Sequence, residues 1–93
     1  MSTYGKYIVS YDISSQKERS QVSKILIGYG FRVQKSVFEC LLSPAAKIRL
    51  IDELGRVDLR TGFIYIYRVS KVSERIELGK VPPSADNDFA FVV

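Results

Sequence analysis

Seven consecutive residues, Tyr7-Ile8-Val9-Ser10-Tyr11-Asp12-Ile13, constrain the fold of this chain more than any other stretch. Six of them are β-branched, aromatic or small, the make-up of a strand inside a sheet. The seventh is a carboxylate, set where the strand should end and a helix begin. A charge beside a buried strand loses hydration and is tolerated with a partner, a cation or a special role. Asp is also among the preferred helix-capping residues. From position alone, Asp12 reads equally as a cap or as a functional acid.

The following residues continue the alternation of strand and helix. Ser15-Gln16-Lys17-Glu18 is a capping-box pattern, in which the Ser15 side chain caps and Glu18 reaches back. Val22, Ile25, Leu26 and Tyr29 then recur at helical spacing on one face, and Gly28 or Gly30 ends the helix. Lys17, Arg19, Gln21 and Lys24 fall on the opposite face, as on any solvated helix. Residues 31–42 are β-prone but broken by Gln34-Lys35-Ser36, which predicts two strands at 31–34 and 36–42. No glycine marks the turn, so one bent strand is the alternative. Ser43-Pro44 starts a second helix, with Ser as cap and Pro at its first position. Ile48, Ile51 and Leu54, with Leu50 beside them, supply its apolar stripe up to Gly55.

Gly62-Phe63-Ile64-Tyr65-Ile66-Tyr67-Arg68-Val69 is apolar on both faces and is therefore expected to be a central strand. Residues 73–80 alternate weakly through Ile76 and Leu78, which suits an edge strand. Pro82-Pro83 ends that run, a polar linker covers 84–88, and the chain closes on Phe89-Ala90-Phe91-Val92-Val93. An apolar, β-prone end left exposed invites aggregation, so this segment is expected to pair with a sheet edge. The order of elements is the α+β, ferredoxin-like βαββαβ arrangement with an extra C-terminal strand. Both helices must then cover one face of a four-stranded sheet. The other face, in a domain of 93 residues, is expected to meet a second copy of the chain.

Composition narrows the chemistry. The chain has no histidine and one cysteine, Cys40, which removes Ser-His and Cys-His nucleophile pairs and zinc sites of the Cys/His type. Cys40 lies in an apolar run, cannot form an internal disulfide and reads as a core residue in a reducing compartment. Catalysis would fall to carboxylates, Lys, Arg, Tyr, Ser or a hard, oxygen-liking cation. No run approaches a membrane span and no secretory signal is visible, so a cytoplasmic protein is expected. The net charge of +4 leans toward an anionic partner, nucleic acid first.

Three stretches, in order and spacing, resemble the small CRISPR-associated Cas-two family. They are the Tyr11-Asp12-Ile13 strand end, the Leu26-Ile27-Gly28-Tyr29-Gly30 helix end, and Arg32-Val33-Gln34-Lys35-Ser36-Val37-Phe38-Glu39. The likeness is clearest over residues 6–70. It implies a homodimer through the sheet face, with residues 1–81 as the ferredoxin-like domain. Residues 82–93 become a linker and a C-terminal strand exchanged with the partner. It further implies a metal-dependent endonuclease acting on single-stranded RNA, double-stranded DNA or both, and a place beside the CRISPR integrase subunit in spacer acquisition. By the same resemblance, Asp12 is the catalytic residue and the ligand of Mg²⁺ or Mn²⁺, with two copies facing each other across the dimer axis. Tyr11, Lys17, Arg19, Arg32, Ser36 and Phe38 match positions near the cleft. Arg68 joins them as a basic candidate for nucleic-acid contact, while Gln21 stands where an arginine is frequent, implying a weaker phosphate contact.

Each of these residues also has a plain structural reading. Tyr11 and Phe38 can be core aromatics, Ser36 can cap a turn, Arg32 can pair with Glu39 or Asp58, and Lys17 and Arg19 can be solvated. Three other functions compete with the nuclease. One is a non-catalytic, DNA-holding subunit of the adaptation complex. Another is a VapD-type ribonuclease toxin, which shares the fold and the strand-end acid. The third is an RNA-binding sheet of the RRM type, suggested by the aromatics of 62–67. That one is disfavoured because dimerisation should bury those aromatics.

Overall fold

The computed structural model describes residues 4–69, 76 and 78–80. Six elements follow in order: β1 (Gly5–Ile13), α1 (Gln16–Ile27), β2 (Gly30–Gln34), β3 (Val37–Leu42), α2 (Pro44–Gly55) and β4 (Gly62–Val69). The strands form one antiparallel sheet in the order β2-β3-β1-β4, which is the ferredoxin-like topology. Residues 34 and 37 pair across the tight turn at Lys35-Ser36, so the run is two strands rather than one bent strand. The expected exchanged strand at 89–93, the linker at 84–88 and the boundary at 81–82 lie outside the described residues. Of the weak strand expected at 73–80, only 76 and 78–80 are described, and none of these is in a strand.

Alternation along β1 divides the molecule into two faces. Tyr7, Val9, Tyr11 and Ile13 point into the core with Phe38, Cys40 and Leu42 of β3. Val22 and Leu26 from α1 and Leu50 and Leu54 from α2 close over them. Burial, and secondarily the neighbouring Glu39, pushes the Cys40 thiol up to about 11, so it stays protonated and packs as an apolar side chain. At the far end of the helices the Tyr29 hydroxyl donates to the Glu53 carboxylate and clamps α1 to α2.

Three expectations are corrected. The strand 62–69 is not central: β4 is the last strand of the described sheet, and β1 and β3 are interior. It is apolar on both faces because Ile64 and Ile66 pack on the core while Phe63, Tyr65 and Tyr67 stand half exposed on the uncovered face. The stripe of α2 runs through Ala46, Leu50 and Leu54, whereas Ile48 and Ile51 are 66% and 48% exposed. Lastly, only half of the capping box forms. The Ser15 hydroxyl accepts from Glu18 N–H, but the Glu18 carboxylate turns to the loop before β4 and accepts from Arg60 N–H and Thr61.

Candidate metal and nucleic-acid site

The site grows from the last three residues of β1. Because side chains alternate, Tyr11 and Ile13 enter the core and Asp12 emerges on the opposite, uncovered face, level with Phe63 of β4. Asp12 is exposed and makes no ion pair among the described residues. The capping duty that competed for it belongs to Ser15, three residues on. Asp12 is thus a strand-end carboxylate with no hydrogen-bond, ion-pair or capping task among the described residues.

Beside it opens a groove of about 530 Å³ between the first turns of α1 and the β2–β3 turn. It brings together Tyr11, Asp12, Arg19, Arg32 and Ser36 from the expected set, and adds Lys35, Gln16, Ser20 and Ser23. Three cationic side chains and one acid therefore line the same groove. Arg19 reaches back along the helix and its Nη1 donates to the carbonyls of Ile13 (2.9 Å) and Ser14 (2.6 Å). A guanidinium carries five N–H donors, so three remain for an anion. Arg32 lies over the Phe38 ring, 5.1 Å from its centroid, and donates to the Lys35 carbonyl at 3.3 Å. Neither arginine has a carboxylate partner among the described residues: Asp58 pairs with Arg60 and Glu39 faces Lys6. The alternative pairing of Arg32 with Glu39 or Asp58 is thereby ruled out.

The remaining members sort by burial. Phe38 is fully buried, so the expectation that it contacts nucleic acid is corrected: its ring is the platform on which the Arg32 guanidinium rests. Tyr11 is nearly buried too, and its hydroxyl donates to the Lys35 carbonyl at 3.3 Å, the oxygen Arg32 also uses. The Ser36 carbonyl accepts from Tyr11 N–H, which ties the turn to β1. Lys17 is exposed on α1 and does not line the groove. Arg68 is elsewhere: it pairs with Tyr7 near the opposite end of β1, its guanidinium 5.9 Å from that ring.

Sequence reasoning missed the residues that hold the site in place. Thr61 accepts from Ser14 N–H through its carbonyl and from Ser15 N–H through its hydroxyl. A Cβ at Gly62 would stand 1.9 Å from the Asp12 carbonyl oxygen, so only glycine permits this approach. Desolvation raises the Glu18 carboxyl, but hydrogen bonds from the Thr61 hydroxyl and the Thr61 and Arg60 backbone outweigh it and hold it below its ordinary value. The only sequence signal was a Thr-Gly pair opening a strand, which is common in turns.

No group of three or more His, Cys, Asp and Glu residues is assembled among the described residues. Among the described residues Asp12 is the one carboxylate that lines the groove, a donor that Mg²⁺ accepts when waters, phosphate oxygens or a second carboxylate complete the set. No helix among the described residues is long and apolar enough to cross a membrane.

A protein-family model described as CRISPR associated protein Cas2 matches residues 6–75. A CRISPR-associated endoribonuclease Cas2 of Chloroflexus aurantiacus is 37% identical over 91 residues, covering 94% of this chain and 98% of the relative. A solved structure of a hypothetical Thermus thermophilus protein superposes with a TM-score of 0.77 at 34% identity, over 88% of this chain and 99% of that one. A chain of a partial Cas6-RT-Cas1–Cas2 complex superposes with a TM-score of 0.63 at 28% identity, over 77% of this chain and 90% of that one. With the strand-end acid, the ferredoxin-like topology and these matches in agreement, the chain belongs to the CRISPR-associated Cas2 family.

Proposed function

We propose that the protein is a cytoplasmic homodimer that cuts phosphodiester bonds in single-stranded RNA, double-stranded DNA or both, and that it also holds duplex DNA beside the CRISPR integrase during spacer acquisition. The observation that carries the nuclease reading is Asp12: exposed, free of ion pairs among the described residues, relieved of capping and set beside a cationic groove. In the dimer, the uncovered sheet faces meet and residues 82–93 cross to the partner. Asp12 then faces its copy in the partner subunit, and the two carboxylates together hold Mg²⁺ or Mn²⁺. A hard divalent cation bound there supplies Lewis acidity and a water of lowered pKa. The free N–H groups of Arg19 and Arg32 bind phosphate oxygens and oppose charge that builds during displacement. Tyr11 and Ser36 brace the turn that carries Lys35, and Lys17 and Arg68 extend the backbone contacts beyond the groove.

Asp12→Asn tests this reading, because Asn keeps the size of the side chain and removes the charge a hard cation needs. The variant is expected to retain fold, dimer and DNA binding and to lose all Mg²⁺- or Mn²⁺-dependent cleavage, assayed with and without chelator. Full cleavage by Asp12→Asn would remove the residue from the mechanism. The scaffold reading is favoured by the two arginines, which have no carboxylate partner among the described residues and suit a held phosphate backbone whether or not it is cut. It predicts no cleavage even by the unmutated protein. Membership of the Cas2 family argues against the toxin, and neighbouring CRISPR genes would exclude it.

A further inference from the structure

The loop before β4 grips the Asp12 end of β1 through contacts that the fold does not obviously require. Ser14 N–H donates to the Thr61 carbonyl at 3.1 Å and Ser15 N–H to the Thr61 hydroxyl at 2.9 Å. The same hydroxyl donates to Glu18 Oε1 at 2.9 Å, and Thr61 N–H donates to that oxygen at 3.1 Å. One exposed threonine thereby joins the end of β1, the first turn of α1 and the start of β4. Gly62 adds a steric stop, since a Cβ there would meet the Asp12 carbonyl oxygen at 1.9 Å and Ile13 Cα at 2.6 Å. Helix α1 already has its cap in the Ser15 hydroxyl, and β1 is paired with β3 as far as Ser10 and with β4 as far as Ile13, so beyond Ser10 the Asp12 end has β4 as its ladder partner. What the clip adds is a defined position for the Asp12 carbonyl and for residues 13–15 that follow it.

That position matters because each chain brings one carboxylate. A cation shared between two copies tolerates little displacement of either, and groups that orient a metal ligand shift affinity even though they never touch the ion. We propose that Thr61 and Gly62 are positioning residues for Asp12, the threonine by tying down Ser14 and Ser15 and the glycine by admitting β4 against the Asp12 backbone. The inference rests on the reading of Asp12 as a metal ligand.

The test uses the full-length protein and reads Mn²⁺ affinity by calorimetry beside kcat and KM for RNA or DNA cleavage. Thr61→Val keeps the shape of the side chain and removes the hydroxyl; Thr61→Ser restores it. Thr61→Val is expected to weaken Mn²⁺ binding about tenfold, the low end for removal of an orienting partner, and to lower kcat with KM unchanged. Thr61→Ser should bind and cleave like the unmutated protein, and Gly62→Ala should lose more than Thr61→Val. If Gly62→Ala fails to fold, the two threonine variants decide alone. Thr61→Val with a lower melting temperature but unaltered Mn²⁺ affinity and kcat would make the clip purely structural and overturn the proposal. Asp12→Asn is measured alongside. If it binds Mn²⁺ as well as the unmutated protein does, the ligand reading itself has failed and takes this inference with it. If only Asp12→Asn loses Mn²⁺, the ligand reading stands and the positioning role falls.

Discussion

The two faces of one strand behave as two different materials. On the helix side of β1, Tyr7, Val9, Tyr11 and Ile13 are all less than 8% exposed and form the middle of the core. On the other side, Lys6, Ile8, Ser10 and Asp12 alternate with them, level with Val69, Tyr67, Tyr65 and Phe63 of β4. Phe63, Tyr65 and Tyr67 form a ladder of rings, with centroids 5.0 and 5.9 Å apart, and each is about half exposed. The covered face is finished within one chain. The other face carries a half-exposed apolar patch and a carboxylate that have no partner among the described residues, which is the pattern expected of an interaction surface. A slip of one residue would exchange the two sets completely, so the register that makes the core also presents Asp12.

The contrast is broken most severely from the covered side. Phe38→Ala removes a fully buried ring and should cost about 3–5 kcal/mol, enough to unfold much of a domain this small. Thermal denaturation would show it, and a melting temperature within a few degrees of the unmutated protein would mean that the core is misread.

The same size of change on the other face should spare the fold. Tyr65→Asp is expected to alter monomer stability by no more than about 0.5 kcal/mol, typical of exposed sites, while light scattering drops from two chains to one. Removing residues 84–93 should weaken the dimer in the same assay. A monomeric unmutated protein would refute the sheet-face dimer outright.

The groove between the faces should respond through electrostatics. Arg19→Ala with Arg32→Ala should weaken duplex binding without regard to base sequence. It should also make the plot of log affinity against log salt shallower by about two, since each phosphate that a cation neutralises adds ~0.9 to the slope. An unchanged slope would place the duplex elsewhere on the surface.

The smallest effect concerns Glu18. Its carboxyl is held below the unfolded value of 4.5, so the stability it contributes is present above that value and is lost as pH falls through the lower folded one. Acid should therefore loosen the clip at Thr61 before the core, seen as faster amide exchange at Ser14 and Ser15 below about pH 4.5. Glu18→Gln should flatten that pH dependence. Equal pH dependence in both proteins would show that another carboxyl governs it.

Legibility from the sequence followed the range of the interactions involved. The Ser15 and Ser43 caps and the periods of β1 and α1 rest on contacts within about four residues along the chain. Those elements could accordingly be read with nearly correct bounds, and so could the Tyr-Asp-Ile strand end that marks Asp12. The errors have a common origin. Ile48 and Ile51 fit a helical stripe as well as Leu50 does, and nothing local tells which side of α2 the sheet will cover. Phe63, Tyr65 and Tyr67 make β4 look like an interior strand because sequence records apolarity without recording what lies opposite.

Local pattern therefore settles that residues 5–69 make four strands and two helices in ferredoxin-like order, and that an acid closes the first strand. Long-range packing settles the rest: that Phe38 is a platform for Arg32 rather than a nucleic-acid contact, and that Ser15 relieves Asp12 of capping. It also directs Glu18 to Thr61, 43 residues away, instead of back to its own helix start. Such contacts form only once the sheet has fixed which segments are neighbours, and no periodicity in the chain encodes them.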